Sequence, residues 1–568
     1  MASLHLRFMK IIRKHLVPIL LFLVIVLAGV LRIWNLGNNP PALTPDEASL
    51  GYNAYSILKT GKDEYGKALP IIFKSFGDYK PGLYVYLAVP FVAVFGLSEF
   101  AVRLPSALFS ILAVFLIYQV TRLLFPDRPR LGLISAFVLA VTPWSIYFAR
   151  GAWEVNVALT LTLGGVYFFL KAQKNAWHII SSVFCFSLTF LTYQGAKLST
   201  GLVIVILTAL YWKNVVGFLK ASKKQVVLSL FLGLVITTPI IFSLFSGQTG
   251  RLTVFSIFSY TRPVEYVQNI LDQGGEKLGS KNYYLFHSEA LNFKMGILTR
   301  WFNHFSGKFL FTEGDWMNPT HSAPYQGVLL LTDILLLVFG IAALARRGST
   351  KESWFIWLWL ILSPLPAALS RDQIHAVRAL NMVAPAVIIL SLGFDKLLDL
   401  LRPLKYKFAL YVLFVMFYVL GFLYFAYAYY IHVPSHNSQY LEYGYKQVVE
   451  TVSKIQKNYA TVKVQQSFAQ PYIYFLFYEK YDPAKYQKTA ELADSGLKGD
   501  VGYVLRLDNI EFAPIDWSIN RKEHGVLFVA DTIRIPPQDS IDPNLFKVVE
   551  EIKYLNNRDT AFRIVEVK

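Results

Sequence analysis

Thr44-Pro45-Asp46-Glu47-Ala48 sets two adjacent carboxylates within a dozen residues of the chain's first apolar run, which ends near Trp34. At the mouth of a membrane span such a pair is costly unless it is solvated or used. Thr-Pro-Asp-Glu is also good chemistry for starting a helix, with a hydroxyl cap and a proline in the first turn. Two readings follow: a capped helix in a solvated loop, or a reactive site with Asp46 as a base. The same loop runs on to Phe76-Gly77-Asp78-Tyr79-Lys80-Pro81.

Composition says what surrounds this loop. The 568 residues are 54% hydrophobic, 16% aromatic and only 16% charged, with a mean hydropathy of +0.41. A soluble protein carries about 25% charged residues, so the chain reads as a polytopic α-helical membrane protein. Its net charge of +18 does not indicate nucleic acid, because the cations cluster beside apolar runs and act as a topology signal. A single cysteine, Cys185, excludes an intrachain disulfide. Arg7, Lys10, Arg13 and Lys14 precede the first apolar run. With many spans following and no small-residue cleavage site, that run reads as a retained helix.

Apolar stretches lie near 15–34, 100–124, 131–149, 152–170, 177–193, 198–212, 225–245, 326–345, 353–370, 380–397 and 408–431. Each approaches the ~20 residues that cross a bilayer, giving about 11 transmembrane helices. A cytoplasmic N-terminus then gathers Arg122, Arg128, Arg130, Lys213, Lys220, Arg346, Arg347, Lys396 and Arg402 on the inside. Counting Leu83 to Leu97 as a span would break that parity. It is therefore read as an interfacial helix, with Tyr84 and Tyr86 at headgroup depth.

The expected organisation is a membrane domain, 1–431, with extracytoplasmic loops 35–99 and 246–325, and a small extracytoplasmic α/β domain, 432–568. In that tail, Tyr445, Val448, Val449, Val452 and Ile455 share one helical face. Strand-like runs follow at Val462–Val464, Val501–Leu505, Val526–Val529 and Phe562–Val567.

The remaining candidates sit at the outer ends of spans. Lys80 reads as a snorkelling anchor or a ligand of lipid phosphate; Arg103, opening the second span, reads the same way. Arg150 and Glu154 form an i,i+4 pair or touch substrate; Lys197 caps a span on that side. Asp315 and His321 are turn caps or pocket-lining groups. His375 and Arg378, three apart on one helix face, suit an anionic headgroup or an interfacial anchor. There is no HExxH, paired-cysteine or EF-hand motif, and no P-loop or GxGxxG. No metal ligand set is read from spacing, although acids with His321 leave a divalent metal open.

Several of these sets match one family in order. They are Asp46-Glu47 after span one, Lys80-Pro81 before an interfacial helix, and Arg103-Leu104-Pro105-Ser106-Ala107-Leu108-Phe109 opening span two. Then come Phe309-Leu310-Phe311 with Gly314-Asp315, and His375-Ala376-Val377-Arg378. Over about 15–430 the chain resembles the family-39 glycosyltransferases of GT-C fold, the bacterial protein O-mannosyltransferase-like and aminoarabinose-transferase-like enzymes. The resemblance implies a polyprenyl-phosphate sugar donor and inverting transfer on the extracytoplasmic face of a bacterial plasma membrane. The acceptor is a protein, lipid or glycan, and no cofactor is required. It makes Asp46 the general base with Glu47 its neighbour, Asp78 the acid before the interfacial helix, and Arg103 the arginine opening span two. Lys80, His375 and Arg378 fall near the donor phosphate. The run Lys80-Pro81-Gly82 departs from relatives that carry a second proline. The alternative class is a lipid-linked sugar transporter or flippase; ionisable residues at span ends rather than mid-membrane speak for an interfacial enzyme.

Overall fold

The computed structural model describes residues 2–76, 78–245, 256–466, 470–489, 492–493 and 503–568, with the side chains of 2–15, 78, 244–245 and 492 outside that description. In chain order, α1 (Ala2–Ile33) leads into α2 (Pro45–Thr60), a hairpin of β1 (Ile72–Ser75) and β2 (Asp78–Pro81), and α3 (Leu83–Phe95). Then come α4 (Glu99–Leu124), α5 (Pro129–Val141), α6 (Pro143–Ala149) and α7 (Glu154–Ala172). Helices also occupy the seven later apolar runs, from His178–Phe190 to Lys407–Tyr427. By length and hydropathy, five helices among the described residues are fit to cross a membrane, or up to seven if each bent pair is one span. The other expected spans are short helices, such as His178–Phe190, helices broken by turns, such as Lys351–Leu362 with Leu365–Ala368, or ones carrying several charges, such as Val383–Leu401.

α3 is 13 residues long, about 20 Å, too short for a hydrocarbon core of about 30 Å. Its tyrosines turn into the protein rather than toward headgroups. The Tyr84 hydroxyl donates to the Val102 carbonyl at 2.9 Å, and that of Tyr86 to Pro70 at 2.9 Å.

The 58° bend between α5 and α6 shows how irregular backbone survives inside the bundle. Pro143 has no N–H, so the Leu139 carbonyl loses its helical partner. The Trp144 N–H goes to Val328 instead, at 3.0 Å, which frees Ala140. Arg32 fills both vacancies, donating to Ala140 at 2.9 Å and Leu139 at 3.1 Å. Its remaining donors reach Ser110, Ser145 and Ala28. A fully buried cation thus fastens α1 to α4 and to the α5–α6 break.

At one end of the bundle Arg128 bonds Asp395 at 2.6 Å, Arg130 bonds Asp395 and Asp399, and Arg347 bonds Asp127 at 2.9 Å. These ion pairs join the turns that the charge pattern assigns to one side. At the other end lies the tail. Its six-stranded sheet runs Arg506–Leu507, Ile510–Ala513, Thr461–Gln465, Val526–Ala530, Thr560–Val567, Phe546–Lys553; the central strand is parallel to both neighbours and the other pairings are antiparallel. The helix Tyr445–Ile455 buries the face its periodicity defines. The expected strand at Val501–Leu505 is described only from 503, as Tyr503–Val504.

The tail does not keep its core to itself. Tyr472–Tyr478, an aromatic helix buried almost throughout, packs on α2, and one hydrophobic cluster takes in Leu43, Ala48, Tyr84 and Val102 together with Val449, Phe475, Val529 and Ile564. The Tyr474 hydroxyl donates to the Leu43 carbonyl at 3.1 Å, and Gln487 bonds Ser56 and Thr60. Gly51 sits where α2 is squeezed: a Cβ there would lie 2.5 Å from Val102 Cγ2 and 2.6 Å from Phe477 Cε2. Gly51→Ala is expected to cost about 1–3 kcal/mol by overpacking, seen as a lower melting midpoint and faster release of a tail fragment by trypsin.

Glu64 is fully buried in the same joint. Its Oε1 accepts from Asn53 at 3.0 Å while Oε2 has no hydrogen-bond partner, and burial pushes its pKa up to about 8. Between its ordinary value of 4.5 and about 8, the unfolded chain releases a proton that the folded one keeps. Stability therefore falls as pH rises through that window. Melting curves across it should show the decline in the wild type and a flatter profile in Glu64→Gln.

Candidate active site

The carboxylate pair is split in two by the start of α2. Thr44 caps the helix: its hydroxyl accepts from the Glu47 N–H at 3.3 Å, and Glu47 Oε2 accepts from the Thr44 N–H at 3.0 Å, a capping box. Glu47 Oε1 takes Arg103 Nε at 3.0 Å and the Ala152 N–H at 2.9 Å. Glu47 is thereby committed, its side chain 7% exposed, whereas that of Asp46 is 58% exposed and pairs with Lys80.

Arg103 is fully buried. Besides Glu47 it donates to the carbonyls of Leu36, Pro40 and Ala42. Its five N–H groups are all engaged, so it has none left for a phosphate. Arg150, also fully buried, lies in the break between α6 and α7, so it and Glu154 never share a helix face. It donates to Tyr429, Leu31 and Asn39 at 3.0–3.2 Å, and stacks on Tyr429 and Tyr430. Both arginines therefore hold the 31–42 backbone. Glu154 sits half-buried in the first turn of α7.

Lys80 reaches Asp46 because the β1–β2 hairpin lies across α2. Ser75 and Ser49 hydroxyls meet at 3.0 Å, and Phe76 adopts φ 54° at the turn, placing its ring 5.7 Å from the Lys80 ammonium. Gln194 donates to the Tyr79 carbonyl at 3.0 Å, and Lys197 donates to Gln194 at 2.5 Å. Lys197 thus supports the hairpin at one remove. Asp78 pairs with Ser75 in the hairpin register; its side chain lies outside the described residues.

A second cluster forms where 313–323 meets 371–378. Asp315, 1% exposed, accepts from His321 Nδ1 at 2.9 Å and from the Ala376 N–H at 2.8 Å. The His321 and His375 rings lie 4.9 Å apart. Arg378 pairs with Asp372 at 2.6 Å, and its N–H approaches His375 Nδ1 at 3.4 Å. His304, unremarkable in the sequence, accepts the His375 N–H at 3.3 Å; burial lowers its pKa to about 4 and holds His375 well below the ordinary histidine value. Asp315, His321 and His375 form a triad able to hold a metal ion.

The turn 150–153 joins the two clusters. Ala152 donates to Glu47, and the Trp153 ring lies 5.6 Å from His321. Beyond Asp315 a cavity of about 710 Å³ opens among Phe311, Trp316, Tyr325, Tyr424 and Tyr440.

Residues 79–242 match the family model described as dolichyl-phosphate-mannose-protein mannosyltransferase. ArnT from Cupriavidus metallidurans in the apo state aligns over 97% of this chain and 98% of its own, at 14% identity and a TM-score of 0.52. The same protein bound to undecaprenyl phosphate aligns over 96% and 97%, at 12% identity and 0.54. The chain has the GT-C fold. The expected GT-C resemblance holds at the level of the fold, and the structural match spans the bundle and the tail alike. No curated protein matches the sequence.

Sequence reasoning missed Arg32 and His304. A charge inside the first apolar run was the available signal for Arg32; a lone histidine at a helix end gives none. Removing one partner of the buried Glu47–Arg103 pair strands the other charge, so Arg103→Leu should cost about 3–5 kcal/mol. Thermal unfolding and yield of the purified variant should report it as a global stability loss.

Proposed function

We propose that this GT-C chain is an integral membrane glycosyltransferase that moves a sugar from a polyprenyl phosphate to an acceptor hydroxyl, inverting the anomeric carbon on the extracytoplasmic face. The observation that carries the reading is the Asp46–Lys80 pair, a half-exposed carboxylate resting on a lysine only 9% exposed. The matched family's name gives dolichyl-phosphate-mannose as a donor, and ArnT has been solved bound to undecaprenyl phosphate; both supply the anion that Lys80 suits.

In this scheme Asp46 occupies Lys80 as a phosphate oxygen would. An arriving donor phosphate takes over the ammonium, with Arg378 across the 150–153 turn, and frees Asp46. The acceptor oxygen then attacks the anomeric carbon from the face opposite the phosphate. The carbon–oxygen bond to phosphate breaks, its electron pair leaves with the phosphate, and Asp46 takes the acceptor proton. Cations fixed before the reaction stabilise the growing phosphate charge without reorganising. Glu47, Arg103 and Arg150 position the loop rather than touch substrate. The aromatic cavity beyond Asp315 has the size of a small-ligand site and suits the acceptor, whether protein, lipid or glycan. No nucleotide or organic cofactor enters. The N-terminus lies in the cytoplasm, the tail outside, and the chain resides in a plasma membrane.

In proteoliposomes supplied with undecaprenyl-phosphate sugars, Asp46→Asn should lower kcat roughly 10²–10⁴-fold with the donor KM little changed. Lys80→Ala should raise the donor KM. Full turnover by folded Asp46→Asn would remove the base role.

A further inference from the structure

We propose that Asp315, His321 and His375 bind a divalent transition-metal ion of the zinc class, with a water held by Tyr147 as the fourth ligand. One ligand atom from each of the three side chains lies within 4.8 Å of the others. Ligands of a tetrahedral zinc stand on the order of 3.4 Å apart, given metal–ligand bonds of about 2.1 Å, so small side-chain rotations close the set. Two imidazoles and one carboxylate favour zinc-like ions over calcium or magnesium, which prefer oxygen alone.

The surroundings are those of a prepared site. Asp315 is 1% exposed and His375 8%. The Asp315 carboxylate is fixed from both loops, accepting the Asn318 N–H at 3.1 Å on one oxygen and the Ala376 N–H at 2.8 Å on the other. Backbone donors of this kind orient metal ligands and are worth 10–100-fold in affinity. The indole of Trp144 in α6 bonds the Ala376 carbonyl at 3.2 Å, anchoring the second loop to the bundle.

An independent observation on the His321 side of the triad points to the fourth position. A void of about 10 Å³ adjoins His321 and is also lined by Tyr147 and Gln326, room for about one water. The Tyr147 hydroxyl is buried with no hydrogen-bond partner. A buried hydroxyl left unpaired is costly, and a metal-bound water in that void would pair it. The ion would staple 313–323 to 371–378, next to the turn that holds Glu47.

The test reads metal rather than turnover, so it stands apart from the transferase reading. Full-length protein in detergent, freed of any affinity tag and stripped by a chelator, is titrated with Zn²⁺ and separately with Co²⁺. The wild type should take up about one Zn²⁺ per chain, show the visible bands of tetrahedral Co²⁺, and regain a melting midpoint lost on chelation. Asp315→Asn and His321→Gln should lose that uptake, and Tyr147→Phe should weaken it about tenfold. A wild type that binds no zinc at micromolar concentration, or no more than Asp315→Asn, overturns the site. Unchanged affinity in Tyr147→Phe overturns the water assignment. Should the ligand variants fail to fold, the wild-type strip-and-reload measurement alone decides.

Discussion

The Arg103–Glu47 pair governs this end of the molecule. Between α1 and α2 the chain is irregular, and its carbonyls must find donors in a region that excludes water. Two fully buried guanidinium groups supply them, and a third does the same at a break elsewhere in the bundle. Arg103 takes Leu36, Pro40 and Ala42, Arg150 takes Leu31 and Asn39, and Arg32 takes Leu139 and Ala140 at the α5–α6 break. The Glu47 carboxylate pairs with Arg103. Arg32 and Arg150 are balanced by oriented carbonyl and hydroxyl dipoles.

This arrangement divides labour between neighbouring acids. Because Glu47 closes the capping box and bonds Arg103 and Ala152, it is fixed. Asp46, one position earlier, turns through about 100° on the helix and faces outward. A single helix start thus provides both an anchor and an exposed carboxylate. α2 is then clamped by the tail, whose aromatic helix fills the groove that Gly51 keeps open. The tail and the first loop form one hydrophobic cluster, so the acid-bearing helix takes its rigidity from residues more than four hundred positions away.

Two polar clusters, each unremarkable alone, are bridged by the turn 150–153. Its Ala152 N–H holds Glu47, while Trp153 packs beside His321, which faces His375. The break between α6 and α7 leaves these backbone and ring groups free to serve the site. The Arg150–Glu154 helical pair that four-residue spacing suggests has no helix to stand on.

Much of this was legible beforehand. Hydropathy and the clustering of cations located the apolar helices and the turns that ion pairs join at the far end; residue types in order carried the GT-C resemblance. Periodicity found the tail helix at Tyr445–Ile455. The strand Phe546–Lys553 and the buried helix Tyr472–Tyr478 escaped, one for lack of alternation and the other because a run of aromatic and aliphatic residues has no polar face to phase it. What the sequence determined by itself was composition-driven: which segments leave water, and where charge gathers along the chain. Only the tertiary structure decided which arginines are free and which are spent, because a guanidinium's role depends on the carbonyls within 3 Å of it. Those carbonyls come from segments that spacing along the chain does not connect.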